Sequence, residues 1–247
     1  MIFLEWGIKM FKVASIAALL AATAIAQPAS AQNWSGPYVG AYVGANAGTT
    51  TTADINCEVD CDTPTLKKVR IAAGGTIGYN AQIDEHFVIG LEADLGVGGK
   101  DSNQLFRNNS PYNEVYTVRS KLNWIGTVRA RAGLALDKTL VYATGGLAVS
   151  RASFSDSDLY TGTSGTSYGA STRKTMTGYA IGGGIEHSFG AFSVKAEFLH
   201  IDLGKSNRAC FADLVGSSAG VCYSNASDYA QFYPTVNSAR LGFNYRF

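Results

Sequence analysis

No stretch of this 247-residue chain is long and apolar enough to cross a bilayer as a helix. A spanning helix needs ~20 apolar residues, and the longest uncharged apolar run, residues 13–26, has 14. Mean hydropathy is nevertheless +0.03, high for a chain without such a helix, so the apolar residues follow another pattern. Net charge is also missing. The 20 basic and 19 acidic side chains become equal in number once Lys9, Lys12 and Glu5 are removed with a leader, which leaves nothing to attract nucleic acid. Histidine occurs only as His86, His187 and His200, so candidates for a general base are few. The 28 glycines, about 11% against roughly 7% in average proteins, follow no three-residue period and accompany 13 tyrosines and 12 phenylalanines. Collagen and disordered linkers are thereby excluded.

Residues 1–31 read as an export signal. Lys9 and Lys12 form the basic region, residues 13–26 the apolar region, and Ala29-Ser30-Ala31 a small-residue cleavage pattern. Cleavage after Ala31 leaves residues 32–247 as one domain, and Met10 is an alternative start. Export places Cys57, Cys61, Cys210 and Cys222 in an oxidising compartment, where disulfides are favoured over a metal site. Three connectivities are open, of which Cys57–Cys61 with Cys210–Cys222 is the most local. Neither a metal nor a cofactor is expected.

What the chain does have is alternation. Eight segments place apolar residues at every second position, the strand period: 38–47, 69–80, 87–98, 122–136, 140–152, 175–189, 192–203 and 237–247. The third is the clearest, with Phe87, Ile89, Leu91, Ala93, Leu95 and Val97 on one face and Gly90, Glu92, Asp94 and Gly96 on the other. In the fourth, Leu122, Trp124, Val128, Ala130 and Leu134 oppose Asn123, Thr127, Arg129 and Arg131. Connections alternate between short (81–86, 137–139, 190–191) and long, polar ones (48–68, 99–121, 153–174, 204–236). That pattern predicts an all-β fold, an eight-stranded antiparallel up-and-down transmembrane β-barrel. Closure follows because an open edge in hydrocarbon would leave backbone groups unpaired at several kcal/mol each.

A soluble lipocalin-like barrel is the rival, with the apolar face turned inward around a ligand. Three features oppose it. Its solvated face would carry many glycines, which suit a crowded small lumen better. The apolar positions are free of charge over spans of about ten residues, as lipid requires. The chain also stops on an alternating aromatic strand containing Phe243, Tyr245 and Phe247.

Several motifs then carry a resemblance. Trp34-Ser35-Gly36-Pro37-Tyr38-Val39-Gly40 follows the leader, Gly90-Leu91-Glu92-Ala93-Asp94 lies in the third strand, and Trp124-Ile125-Gly126-Thr127-Val128-Arg129-Ala130-Arg131 in the fourth. Lys195-Ala196-Glu197-Phe198 and the terminal Asn244-Tyr245-Arg246-Phe247 complete the set. The mature chain resembles the porin-family outer-membrane immunogenic proteins of Gram-negative bacteria, small OmpA-like barrels. The resemblance is strong in the strands and absent from the long loops. It implies location in the cell outer membrane and a surface-antigen role. The aromatic last strand, Phe243, Tyr245 and Phe247, resembles the signal read by the outer-membrane assembly machinery.

Candidate chemistry is concentrated in the polar face. Glu92 and Asp94 are two residues apart, as an acid/base pair would be, but the neighbouring strand supplies Arg129 and Arg131, and buried charges persist when paired. Arg70, Glu186, Lys195, Glu197 and Arg240 extend this into a lumen charge network. An eight-stranded barrel is only just wide enough inside for its side chains, so a plugged lumen is expected. The enzyme alternative, a lipid A hydrolase, needs a nucleophile with a base in reach, and no partner for His200 is identifiable. The stretch 96–101 fails as a phosphate loop because Asp94 and Asp101 stand where the motif needs Gly and Ser or Thr. The expectation is therefore a non-enzymatic barrel for envelope integrity and surface display. Its partners are outer-membrane lipid, lipopolysaccharide and the assembly machinery, with no nucleic acid. A narrow solute pore, or a loop-mediated adhesin with an unidentified loop ligand, are the alternatives.

Overall fold

The computed structural model describes residues 33–55, 65–98, 102–107, 114–160, 168–205, 209–210, 212–213 and 229–247. The expected export signal and Cys57, Cys61 and Cys222 lie outside them, so the proposed disulfides do too. Eleven strands are present among the described residues: β1 (Gly36–Ile55), β2 (Thr65–Gln82), β3 (Phe87–Gly98), β4 (Ser102–Arg107), β5 (Glu114–Leu136), β6 (Thr139–Tyr160), β7 (Tyr168–Phe189), β8 (Phe192–Asp202), β9 (Ala209–Cys210), β10 (Ala212–Asp213) and β11 (Tyr229–Arg246). Eight of them form one antiparallel circuit in the order β1-β2-β3-β5-β6-β7-β8-β11. The circuit closes through β1 and β11, from Tyr38 opposite Arg246 to Ile55 opposite Tyr229. No barrel edge is left for hydrocarbon to strip of hydrogen bonds.

Alternation decides which side meets lipid. Leu91 is 64% exposed, Val128 62% and Phe243 50%, while Glu92, Arg129 and Asn244 beside them are buried. The lipocalin arrangement is excluded.

Three expectations about extent and phase need correction. First, the strands outlast their apolar segments. The β5–β6 ladder runs on to Glu114 opposite Tyr160, and β6–β7 to Asp158 opposite Tyr168. Backbone pairing needs no apolar side chains, so it continues past the hydrocarbon into polar hairpins. Second, the segment expected as a long loop at 99–121 contains β4, which pairs with β5 from Ser102–Ser120 to Arg107–Val115. Third, the β5–β6 register shifts between Leu122 and Ile125. A bulge adds one residue and inverts the side-chain phase beyond it. Leu122, expected on the lipid face, instead packs against the interior cluster that contains Ile125.

The short turns lie at one end. Asp137 takes φ 51° in the two-residue β5–β6 turn and Gly190 φ 81° in the β7–β8 turn, as tight hairpins require. In the β2–β3 turn the Asp84 carboxylate accepts N–H bonds from His86 at 2.8 Å and Phe87 at 2.6 Å. Those two donors hold its pKa below the ordinary aspartate value. Ionised Asp84 thus steadies the turn at neutral pH, and the contribution is lost as pH falls through the lowered pKa. The amide resonances of His86 and Phe87 are expected to titrate together, with a midpoint below that of a free aspartate. A midpoint at or above the free value would contradict the two bonds.

Candidate functional site

The strand register brings opposite charges together inside the barrel. On β3 and β5, Glu92 lies opposite Arg129 and Gly90 opposite Arg131. On β7 and β8, Glu186 lies opposite Lys195, and on β8 and β11 Glu197 lies opposite Arg240. Four cations and four carboxylates therefore project from five strands into one layer.

Arg129 is its hub. Its Nη2 lies 2.6 Å from Glu92 Oε1 and 2.9 Å from Asp94 Oδ2, and its Nη1 lies 3.2 Å from Glu197 Oε1. Lys195 Nζ reaches Glu92 Oε2 at 2.7 Å across the barrel. Arg131 Nη2 meets Glu186 Oε2 at 2.8 Å, and Arg240 Nη1 meets Asp94 Oδ1 at 2.9 Å. Neutral donors fill the remaining acceptor sites. Tyr38 donates to Glu92 at 2.7 Å, Tyr142 to Glu197 at 2.9 Å, Thr127 to Asp94 and Ser193 to Glu186, each at 2.5 Å. All eight charged groups are almost wholly removed from solvent, and buried ions persist only when paired and hydrogen-bonded in this way.

Aromatic rings complete the layer. The Arg131 guanidinium lies 4.0 Å from the Tyr142 ring centre, and that of Arg240 lies 4.3 Å from the centre of Tyr42. Glycine makes room for these rings. A Cβ on Gly78 would collide with the Tyr38 ring, and one on Gly96 with the Tyr42 hydroxyl. Glycine beside these tyrosines is thus a packing requirement of a narrow lumen.

Apolar side chains border this ionic layer on both sides. At the short-turn end, Trp34 is fully buried among Val88, Ala135, Leu140 and Tyr142, the inward residues of β3, β5 and β6. Its backbone N–H donates to Gln82 Oε1 at 2.9 Å, and the Arg246 guanidinium lies 4.7 Å from the centre of its ring. At the other end the lumen is filled by Ile125, Met176, Leu199, Ile201, Phe232 and Val236 among others. The glycines and ionised groups expected in the lumen occupy its middle, and apolar side chains fill it on either side. A groove of about 640 Å³ lies outside the lumen, on the lipid-facing wall beside Ile89 and Leu91.

Known proteins agree with this architecture. A family model described as outer membrane protein beta-barrel domain matches residues 15–247. The chain belongs to that family. It is 27% identical over 255 residues to a 31 kDa outer-membrane immunogenic protein of Brucella melitensis, covering 95% of this chain and 98% of the relative. It is 32% identical over 115 residues to a 22 kDa outer membrane protein of Rhizobium leguminosarum, spanning 46% of this chain and 44% of that one. Among solved structures it is similar to the outer membrane protein OprG of Pseudomonas aeruginosa, with a TM-score of 0.49 and 13% identity over 87% of this chain and 97% of that one. The protein is an outer-membrane barrel.

Of the nine residues expected in the barrel's charge network, Arg70 stands apart. It pairs in register with Asn46, six positions along β2 from Thr76, which pairs with Asp94, about 20 Å at ~3.3 Å per residue. Phe243, Tyr245 and Phe247 face outward near the short-turn end, and Phe192 stacks on Phe243 with ring centres 5.3 Å apart. The histidines are dispersed: His187 Nδ1 bonds Thr139 Oγ1 at 2.9 Å, His200 Nδ1 bonds Asn237 Oδ1 at 2.8 Å, and His86 lies in the β2–β3 turn. Trp34 and the upper apolar layer are the interior features that alternation alone did not single out.

Proposed function

We propose that this barrel is a sealed structural component of the outer membrane that supports envelope integrity and displays its long hairpins as surface antigens. The observation that carries the reading is the neutral layer of eight buried charges bounded above and below by apolar side chains. An ion entering that layer would have to leave water and break charge-assisted bonds that are already satisfied. Display is supported by the ladders that continue past the apolar belt, and by relatives that are called immunogenic. The aromatic face of Phe243, Tyr245 and Phe247 is the surface offered to the assembly machinery, and lipid with lipopolysaccharide is the surrounding partner.

Planar-bilayer recording of the refolded chain tests the seal. Brief, rare openings or none are expected, together with no swelling of liposomes in small sugars. Steady nanosiemens conductance from the monomer would turn the reading to a solute pore.

A further inference from the structure

The outer wall carries a compact group of exposed cations toward the hairpin end of β5, β6 and β7. Lys121, Ser153 and Arg173 occupy one outward register row across these three strands. Arg151 lies two residues nearer the membrane on β6, paired with Thr175. Lys121, Arg151 and Arg173 are all exposed. Strand spacing of ~4.8 Å and a rise of ~3.3 Å per residue place their backbones at the corners of a triangle with sides of roughly 8–10 Å.

Depth identifies what such a group meets. On β6 the outward column Val141, Ala143, Gly145, Leu147 and Val149 is apolar, and Arg151 is the next outward position. The cations therefore begin where the hydrocarbon ends. Trp124 marks the same boundary. Its ring lies on the outer wall, within 3.5 Å of where a Gly126 Cβ would stand and beside lipid-facing Leu95, and tryptophan is enriched at this interface. Among the described residues, the outward side chains that flank them include Asn123, Ser153 and Thr175, neutral groups able to donate hydrogen bonds. On β8 and β11 the outward positions toward the hairpin end are instead His200, Asp202, Thr235 and Asn237.

From this placement we infer that Lys121, Arg151 and Arg173 form a binding site for a phosphorylated lipid headgroup of the outer leaflet. The site rests on the outer-membrane orientation with long hairpins outward. Clustered basic side chains at headgroup depth attract anionic lipid, each contributing independently, and guanidinium groups bind phosphate in a forked geometry. The acyl chains of the same lipid would lie along the apolar column below Arg151.

The test uses the full chain folded in detergent micelles, titrated with bis-phosphorylated lipid A, with dephosphorylated lipid A and with inorganic phosphate. Neutralising the site in the triple variant Lys121→Gln, Arg151→Gln, Arg173→Gln is expected to weaken binding of bis-phosphorylated lipid A by about tenfold or more. Added salt should reduce the wild-type advantage. Lys138→Gln, in a turn at the opposite end, should leave binding unchanged, and heat-shifted gel migration confirms that each variant is folded. The inference is overturned if the triple variant binds as wild type does, or if dephosphorylated lipid A binds equally well. Displacement by inorganic phosphate at concentrations equal to those of the lipid would make a free anion the occupant and also overturn it. Failure of the underlying orientation looks different: protease added to intact cells would leave the long hairpins uncut.

Discussion

Replacing Arg129 with methionine is expected to destabilise the barrel by about 3–5 kcal/mol, the range for removing one partner of a buried ion pair. Arg129 joins Glu92, Asp94 and Glu197, so its loss leaves the layer with one uncompensated negative charge. Glu92 would retain Lys195, and Asp94 would retain Arg240. Glu197 would retain the Tyr142 hydroxyl but lose its guanidinium. The second change Glu197→Gln restores neutrality and leaves an acceptor for Tyr142, so Arg129→Met with Glu197→Gln should recover more than half of the loss. Arg129→Lys should fall between the two, since it keeps the charge but cannot span three carboxylates with a planar fork. Urea unfolding in lipid vesicles, followed by tryptophan fluorescence, measures all three. A single Arg129→Met variant as stable as wild type would mean that the layer is wet and that its ion pairs are screened.

That prediction depends on features of unequal legibility. The charged residues were visible because alternation assigns every second residue of a strand to the lumen, and β3 (Phe87–Gly98) has the boundaries its apolar rhythm predicts. Pairing of β3 with β5 then follows from the up-and-down order, although the connection between them is long. Other features follow rules that a two-residue period does not encode. The bulge beyond Leu122 reverses the phase of β5, and nothing local in Asn123-Trp124 announces it. On β8 the inward residues change from Lys195 and Glu197 to Leu199 and Ile201, while the outward ones change from Val194 and Phe198 to His200 and Asp202. The apolar residues thus switch from the outward to the inward side along one strand, because at the hairpin end water lies outside the wall and packed side chains lie within. A reading that assigns apolar residues to lipid throughout misses that exchange. Strand ends were too short for the same reason: hydrophobicity marks the hydrocarbon, whereas the hydrogen-bonded ladder extends beyond it.

Trp34 was legible only as part of a motif, and it carries the second large effect. Trp34→Ala is expected to cost about 3–5 kcal/mol, the range for deleting a fully buried tryptophan side chain, because it empties the space between Val88, Ala135, Leu140 and Tyr142 and removes the ring facing Arg246. Trp34→Phe separates the possible causes. The indole Nε1 is buried without a hydrogen-bond partner among the described residues, so phenylalanine discards that unsatisfied donor, whose burial costs roughly 1–3 kcal/mol, and keeps most of the apolar body. Its net effect should be within about 1 kcal/mol of wild type. Thermal conversion of the compact gel species, with urea midpoints for the same proteins, ranks the two. The electrical result should differ from the stability result. With Trp34 truncated, the ionic layer and the Leu199–Phe232 layer still stand in series across the lumen, so Trp34→Ala should remain non-conducting while being much less stable. Steady conductance from that single variant would show that the tryptophan is the barrier itself, and that the charges above it lie in a water-filled passage.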